Sequence, residues 1–223
     1  MKLSPLLKGL VLHLPLDEED FNATTLRHTD KSAYCNHGIA SSGVFDTDQM
    51  GQANRASKYN NNIGVNCGNA TTPASVAYAF WFKPGSYPTA EAIFSIGTLN
   101  TIGNRTLYYY NGYWRFNMGL TGGSRLKTVY RDYLPVDTWH HVICEYDDDG
   151  HTLKMFIDSI QSGGAPSTAG LTPAASTDDF YVASYITGNR LIGSLSDFRM
   201  YDRILSADEK TLLYESYRPR LVI

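Results

Sequence analysis

Hydrophobic and polar residues alternate along most of this 223-residue chain with the two-residue period of β-strands. The segment "ASVAYAFWFKP" (74–84) alternates most clearly. One predicted face carries Val76, Tyr78, Phe80 and Phe82, and the other carries Ala77, Ala79 and Trp81. Further strands are predicted over 9–16, 92–98, 106–119, 126–133, 138–147, 151–160, 179–185 and 190–202. The pattern therefore predicts an all-β protein.

Turn and cap signals lie between and after these strands. Asn111-Gly112 stands between two aromatic runs, and both residues tolerate the positive φ of a type I′ hairpin turn. The segment "SADEKTLLYESY" (206–217) is the one predicted helix, because Ser206 and Glu209 have the spacing of a capping box. Many short strands in one domain with a single C-terminal helix favour a two-sheet antiparallel sandwich of jelly-roll type.

Composition limits the partners of such a sandwich. The formal net charge is -3 and the sequence has no basic stripe, so nucleic acid is not expected as a partner. No segment approaches the roughly 18 consecutive apolar residues of a membrane-spanning helix, so membrane insertion is not expected. The sixteen tyrosines, by contrast, suit a surface that recognises another molecule.

Cysteine usage and the N-terminal segment bear on where the chain folds. Cys35, Cys67 and Cys144 lack the spacing of zinc ligands, and we expect them to be reduced and mostly buried thiols. One disulfide with a free thiol left over is the alternative. Proline and charged residues interrupt the apolar residues near the N-terminus, and no small-residue cleavage site follows, so no signal peptide is predicted. We therefore expect synthesis and folding in the cytoplasm.

Several motifs resemble one protein family. They are "HTDKSAYCNHG", "DTWHHVICEYDDDGHTLKMFIDS" and the ending "IGSLSDFRMYDRILSADEKTLLYE". Through these motifs the chain resembles the laminin-G-like branch of the concanavalin-A-like lectin/glucanase superfamily. The resemblance implies a jelly roll of two curved antiparallel sheets, and we expect one domain over 1–216 and an extended arm over 217–223. It does not imply one function, because the fold carries lectins, adhesion modules, structural domains and glycan hydrolases.

The acidic run after the strand at 138–147 raises the question of catalysis. Laminarinase-type hydrolases of the resembling superfamily carry Glu-x-Asp-x-Glu, and Glu145, Asp147 and Asp149 follow that alternation with Asp in the last place. A retaining mechanism needs two carboxyl groups about 5–5.5 Å apart, one of them kept protonated, which a solvated turn does not provide. We therefore expect no catalytic residues and no enzyme activity. A polysaccharide-degrading hydrolase of the laminarinase type is the alternative.

Two adjacent histidines precede this acidic run. In a strand, His140 and His141 point to opposite faces, so they cannot chelate one metal together. We expect one of them to pack inward with a hydrogen-bonding partner and the other to face outward.

The loop "RHTDKSAYCNHG" (27–38) is the candidate metal site. It is similar to a family loop that in many members helps to hold calcium near an acid of the last long strand. The matching residues are Asp30, Ser32, Asn36, His37 and Gly38 in the loop and Asp197 in the strand. The resemblance thus implies a calcium ion held by Asp30, Asn36 and Asp197.

Two positions depart from the family's calcium-site pattern. Ala33 stands where Gly is usual, and Ser196 stands where many relatives have a second Asp. The alternative is a hydrogen-bonded loop, in which the loop acid caps backbone amides and the strand acid pairs with Arg199 or Arg203.

The aromatic block "TLYYYNGYWRF" (106–116) is the candidate ligand surface. Alternation puts Tyr108 and Tyr110 on one sheet face, with either Tyr113 or Trp114 across the turn. On an outer face these rings would suit the apolar side of a sugar, and on an inner face they would be core. The candidate glycan-binding residues are Tyr108, Tyr110, Asn111, Tyr113, Trp114 and Arg115.

These features together favour a non-catalytic, lectin-like binding or structural domain. A laminin-G-like module without a signal peptide and with unpaired cysteines resembles proteins that are assembled inside a bacterium and released on a virus particle. We therefore expect a virion surface protein in a decoration, fibre or tail-adhesin role. Its partners would be virion structural subunits, cell-surface glycans or further copies of itself. A module of a bacterial adhesin is the alternative.

The segment "YRPRLVI" (217–223) is expected to dock onto another chain. It carries three consecutive apolar residues where a terminal segment is normally polar. Pro219 restricts the backbone and so limits the entropy lost on docking. The alternative is that the arm folds back onto its own sandwich.

Overall fold

The computed structural model describes residues 5–60, 64–69, 73–87, 90–97, 103–121, 126–185 and 190–216. Within these residues the chain forms a short 3-10 helix, eighteen β-strands and one α-helix, α1 (Ala207–Ser216). The first nine strands are β1 (Leu10–Leu14), β2 (Phe21–Asn22), β3 (Arg27–His28), β4 (Gly38–Ala40), β5 (Phe45–Asp46), β6 (Ala56–Asn60), β7 (Val65–Asn66), β8 (Val76–Pro84) and β9 (Ala90–Ile96). The others are β10 (Arg105–Tyr110), β11 (Tyr113–Thr121), β12 (Leu126–Asp132), β13 (His140–Asp147), β14 (Thr152–Ile157), β15 (Ile160–Ser162), β16 (Thr172–Pro173), β17 (Phe180–Val182) and β18 (Ile192–Tyr201).

The strands form two antiparallel sheets. The eight-stranded sheet has the order β15-β14-β13-β8-β18-β6-β5, and β1 also pairs with β18. The ten-stranded sheet has the order β12-β11-β10-β9-β17-β7-β4-β3-β2, and β16 also pairs with β11. Several neighbours in each sheet, such as β8 and β18 or β9 and β17, are far apart in the sequence, as in a jelly roll. The predicted two-sheet sandwich with a short C-terminal helix is confirmed.

Aromatic residues of both sheets fill the space between them. Tyr78 of β8 stacks across this space on Phe94 of β9, with ring centroids 4.3 Å apart. Phe80 stacks on Phe198 of the neighbouring β18 at 5.4 Å, and all four rings are fully buried. Each such side chain contributes about 1.5–3 kcal/mol by leaving water. Tyr78 and Phe80, which the alternation places on one face of the segment 74–84, therefore both point into the space between the sheets.

Helix α1 covers the opposite face of the eight-stranded sheet. Ala77 and Ala79 of β8 form a second buried cluster with Leu213 of the helix. Trp81 stacks on Tyr214 of the helix with ring centroids 5.8 Å apart. The small alanines let the helix lie close to the strand, so β8 is buried on both faces.

Residues that flank the helix determine where it begins. The backbone N–H of Ser206 donates to Glu209 Oε2 at 2.8 Å, and the N–H of Glu209 donates to Ser206 Oγ at 3.2 Å. This is the predicted capping box, and it satisfies amide groups that have no partner within the helix. Arg203 pairs with the same Glu209 at 2.7 Å and ties the end of β18 to the helix start.

The shortest strands differ from the sequence-based expectation. Strands β2, β3, β5 and β7 have two residues each, too few to show a period in the sequence.

The cysteines are mostly buried, as expected. All three are free thiols; Cys67 and Cys144 are buried and Cys35 is exposed.

Candidate functional site

The β10–β11 hairpin decides which aromatic residues face outward. The Asn-Gly turn at 111–112 has φ angles of 51° and 92°, as a type I′ turn requires. It pairs Tyr110 with Tyr113 and Tyr108 with Arg115. Directly opposed residues of a sheet lie on the same face. These four side chains therefore share one face of the ten-stranded sheet.

We call Tyr108, Tyr110, Tyr113 and Arg115 the aromatic patch. Tyr110 and Tyr113 are 45% and 43% exposed, and Tyr108 and Arg115 are half-buried. The Arg115 guanidinium lies 6.0 Å from the ring centroid of Tyr108 and 5.1 Å from that of Tyr110. These cation–π contacts hold a planar, charged hydrogen-bond donor beside exposed rings. Asn111 is also exposed, at the tip of the hairpin.

Trp114 lies on the opposite face of the hairpin and is a core residue. It is buried, and its ring packs on Phe82 at 5.1 Å and on Tyr109 at 5.5 Å between centroids. The expectation that Trp114 contacts a ligand is therefore wrong. Alternation along β11 gives the reason, since the residue next to an outward-facing Tyr113 must point inward.

The carboxylates of the acidic run make separate structural contacts. Glu145 is buried beneath α1, where it accepts a hydrogen bond from the Leu205 N–H at 2.9 Å and pairs with Lys210 Nζ at 2.6 Å. Asp147 ends β13 and accepts an amide hydrogen of the following turn at 3.0 Å. Asp149 is exposed in that turn. Because the strand ends at Asp147, the sequence alternation does not produce a row of three carboxylates.

The two histidines of β13 lie on opposite faces of the sheet, as predicted. His140 Nδ1 forms a hydrogen bond with Asp158 Oδ2 at 2.9 Å. His141 faces helix α1 and packs against both Trp81 and Tyr214, at 5.1 and 6.0 Å between ring centroids. Burial lowers the pKa of His141 to about 4, so its ring is neutral at pH 7. Both side chains have structural contacts, and neither is exposed.

Asp30 is the centre of the candidate metal loop, and protein donors surround it. Its Oδ1 accepts the backbone N–H groups of His13 and Ser32, both at 2.8 Å. Its Oδ2 accepts the Ser32 hydroxyl at 2.7 Å and the Asn36 N–H at 2.8 Å. The Asn36 side-chain amide donates to the carbonyl of Val11 at 3.2 Å. The loop is thereby fastened to β1.

Asp197 lies in a bulge of β18 with a φ of 53°, which is uncommon for a residue with a side chain. Its Oδ1 contacts His13 Nε2 at 2.8 Å and Arg199 Nε at 3.0 Å. Burial by itself would raise the pKa of Asp197, but Arg199 and His13 outweigh it and lower this pKa to about 2. The carboxylate is therefore ionised and paired.

These residues do not fit a calcium ion in the observed arrangement. Calcium takes six to eight oxygen ligands, but both Asp30 oxygens already accept two hydrogen bonds each, and Asp197 is paired with Arg199. In the part of the chain that the structure describes, no group of three or more His, Cys, Asp or Glu side chains is placed to hold a metal ion. The geometry favours the hydrogen-bonded alternative, and calcium at Asp30, Asn36 and Asp197 stays a prediction.

A cleft that the sequence analysis missed lies beside Asp197. It has a volume of about 490 Å³, and the acids Asp17, Glu19, Asp20 and Asp48 are part of its wall. The acidic run at 17–20 was the available signal, but such a run is most often a solvated surface. Only the fold brings Asp48 and the end of α1 next to it.

The chain belongs to the concanavalin A-like lectin/glucanases superfamily, because a laminin-G family model of that superfamily matches residues 57–209. No curated protein matches the chain significantly. No helix in the described ranges is long and apolar enough to cross a membrane.

Several solved structures share the fold at low sequence identity. The receptor-binding domain of botulinum neurotoxin mosaic serotype C/D is 15% identical, with a TM-score of 0.68, over 93% of this chain and 51% of that one. The binding domain of Paraclostridial Mosquitocidal Protein 1 is 12% identical, with a TM-score of 0.67, over 94% of this chain and 52% of that one. This chain thus spans about half the length of either structure.

A third structure corresponds to the chain over nearly its whole length. It is domain 4 of AbnA, a GH43 extracellular arabinanase from Geobacillus stearothermophilus, in complex with arabinotriose. The identity is 14% and the TM-score 0.63, over 92% of this chain and 98% of that one. At such identities the likeness shows the shared fold.

Proposed function

We propose that this domain is a non-catalytic, lectin-like module that binds glycans through the aromatic patch. The observation that carries the proposal is the exposure of Tyr110 and Tyr113 on an outer sheet face, with Arg115 held over a neighbouring ring. Aromatic rings can pack on the apolar face of a sugar, while a guanidinium donates hydrogen bonds to its hydroxyls. The AbnA domain, solved with arabinotriose, supports the idea that a sandwich of this kind can hold an oligosaccharide.

Removing the exposed rings tests the glycan site. We expect Tyr110→Ala and Tyr113→Ala each to weaken binding by about 1 kcal/mol, or roughly fivefold, and the double variant to weaken it further. A glycan array with the wild-type protein would select the ligand, and titration calorimetry would then compare the variants.

Tyr34 provides a matched control for these substitutions. It is 54% exposed but belongs to the loop before β4, outside the aromatic patch. Tyr34→Ala should therefore bind glycan like the wild type. Unchanged affinity in the Tyr110/Tyr113 double variant, or wild-type protein that binds no glycan on a broad array, would contradict the proposal.

The non-catalytic part of the proposal is supported by the contacts of Glu145. This residue is buried and engaged by a backbone amide and by Lys210, so it does not face a substrate cleft. We expect no release of reducing ends when the protein is incubated with β-glucans, galactans or host polysaccharides. Release that disappears in Glu145→Gln would instead support the laminarinase-type alternative.

For the biological setting, we infer a virion surface protein that acts as a decoration, fibre or tail-adhesin subunit. The three free thiols support folding in a reducing compartment, as expected for a particle that is assembled inside a cell. Mass spectrometry and immunogold labelling of purified virions should find the protein on the particle surface. Its detection only on the bacterial envelope would support the adhesin alternative.

A further inference from the structure

An acidic cleft opens where helix α1 ends. It is the cleft of about 490 Å³ beside Asp197, and Ser216, the last residue of the helix, is part of its wall. The residues of the wall that matter here are Asp17, Glu19, Asp20, Asp48 and Gln49. The chain therefore leaves the helix at the edge of this cleft.

Two cations inside the cleft neutralise only part of its charge. Arg55 pairs with Asp17 at 3.0 Å and also with Glu19. Lys31 pairs with Asp20. Burial raises the pKa of Asp17, and the nearby carboxylates of Asp20 and Glu19 raise it further. The crowding of acids on this wall thus favours an additional positive charge.

Asp48 and Gln49 add hydrogen-bond acceptors to the cleft. Asp48 is buried, and its Oδ1 accepts the backbone N–H groups at positions 50 and 52, both at 2.8 Å. Gln49 is 4% exposed, and its side-chain Oε1 is buried with no hydrogen-bond partner among the described residues. A buried acceptor without a donor is unfavourable. The cleft therefore suits a ligand that brings both N–H donors and positive charge.

A guanidinium group has both properties, since it carries five N–H donors and stays protonated. We propose that the cleft is the docking site of this chain's own segment 217–223, with the Arg218 guanidinium bound at Asp48 and Gln49. Residues 217–223 lie outside the described residues, so the proposal rests on the cleft and on the order of residues after Ser216.

The reach of the chain supports this occupant. Arg218 is two residues beyond Ser216, and an extended chain covers about 3.3–3.6 Å per residue. Two extended residues thus span at most about 7 Å from Ser216, so the cleft wall is within reach of an arginine side chain at position 218. The proposal corresponds to the alternative in which the arm folds back onto its own sandwich.

Trypsin cleavage of the native protein tests the docking. Trypsin cuts after Arg220 but not after Arg218, because Pro219 follows Arg218. A docked segment should slow the loss of residues 221–223, which mass spectrometry can follow. We expect Arg218→Gln and Asp48→Asn each to speed this cleavage about tenfold, as for the loss of one charge-assisted hydrogen bond. Added salt should speed cleavage of the wild type, because it screens the same attraction.

Two control variants leave the proposed contact intact. Arg220→Lys keeps a trypsin site and leaves Arg218 in place, and Glu18→Gln removes a neighbouring acid that is not part of the cleft wall. Glu18→Gln should be cleaved at the wild-type rate. Arg220→Lys should be cut more slowly, because trypsin prefers Arg to Lys, but adding Arg218→Gln to it should speed its cleavage by the same factor as in the wild type. Matching melting temperatures would show that every variant is folded.

Two outcomes would overturn the proposal. The first is equal cleavage rates for the wild type, Arg218→Gln and Asp48→Asn. The second is protection that increases with protein concentration together with a dimer in analytical ultracentrifugation, which would place the segment on a second copy.

Discussion

At the scale of single residues, Glu91 joins the two sheets through the core. It belongs to β9 and is 0% exposed, and its Oε2 accepts the backbone N–H of Ile192 in β18 at 2.9 Å. Burial raises the pKa of Glu91 to about 8, although the hydrogen bond from Ile192 opposes this rise. The carboxyl group is therefore mostly protonated in the folded protein at neutral pH.

This raised pKa predicts how stability depends on pH. Above about pH 4.5 the unfolded chain loses the Glu91 proton, whereas the folded chain keeps it up to about pH 8. The free energy of unfolding should therefore fall as the pH rises from about 4.5 to about 8, and this effect should level off above that. Glu91→Gln should remove this pH dependence. The free energy of unfolding of the variant minus that of the wild type should therefore increase by at least about 2 kcal/mol from pH 5 to pH 8.5.

Urea unfolding of both proteins at the two pH values measures this difference. The Glu18→Gln variant, at an exposed position, is the control for the loss of one carboxyl group from the surface. If the free energies of unfolding of Glu91→Gln and the wild type differ by the same amount at both pH values, the pKa of Glu91 is not raised.

At the scale of elements, helix α1 depends on the sheet beneath it. It has ten residues, and an isolated helix of that length is marginal in water. Intrinsic helix propensity alone does not stabilise so short a helix. The additional stability comes from the packing of Leu213 and Tyr214 on the eight-stranded sheet and from the Ser206–Glu209 capping box. Both contributions should be measurable separately.

Removing the Ser206 cap tests how much the capping box contributes to stability. Ser206→Ala should lower the free energy of unfolding by about 1 kcal/mol, because the Glu209 N–H then loses its acceptor. Chemical denaturation measures the change. Thr211→Ala, at an exposed position within the helix, should be neutral or slightly stabilising, since Ala is the better helix former. Equal effects at the two positions would argue against a specific role for the cap.

At the scale of the whole molecule, His13 connects the sheets at one end of the sandwich. It belongs to β1 of the eight-stranded sheet, and its backbone N–H donates to Asp30 in the loop between β3 and β4 of the ten-stranded sheet. Its ring contacts Asp197 of β18. Direct contacts thus join the elements that calcium was expected to bridge.

Melting curves with and without calcium distinguish the two arrangements. We expect the same melting temperature in millimolar calcium and in chelator, because Asp30 already has four protein donors. Asp30→Ala should lower the melting temperature by several degrees, while Asp149→Ala, in an exposed turn, should not. A calcium-dependent rise, with density at about 2.3–2.6 Å from these oxygens, would restore the metal site.

The alternation of the sequence predicted most of the long strands, the hairpin at 111–112, the helix with its cap and the two faces of β8. These features are local, because neighbouring residues in a strand or helix determine which side chains share a face. The same local rule placed Tyr108 and Tyr110 together.

The tertiary structure alone decided which of those faces is covered. Trp114 is core and Tyr113 is exposed because the other sheet packs against one side of β11 and not the other. The cleft at Ser216 likewise needs Asp17, Asp48 and the end of α1, which are far apart in the sequence. Alternation in the sequence predicts which side chains share a face of a strand. Whether that face is buried depends on contacts between distant segments, and those contacts exist only once the chain has folded.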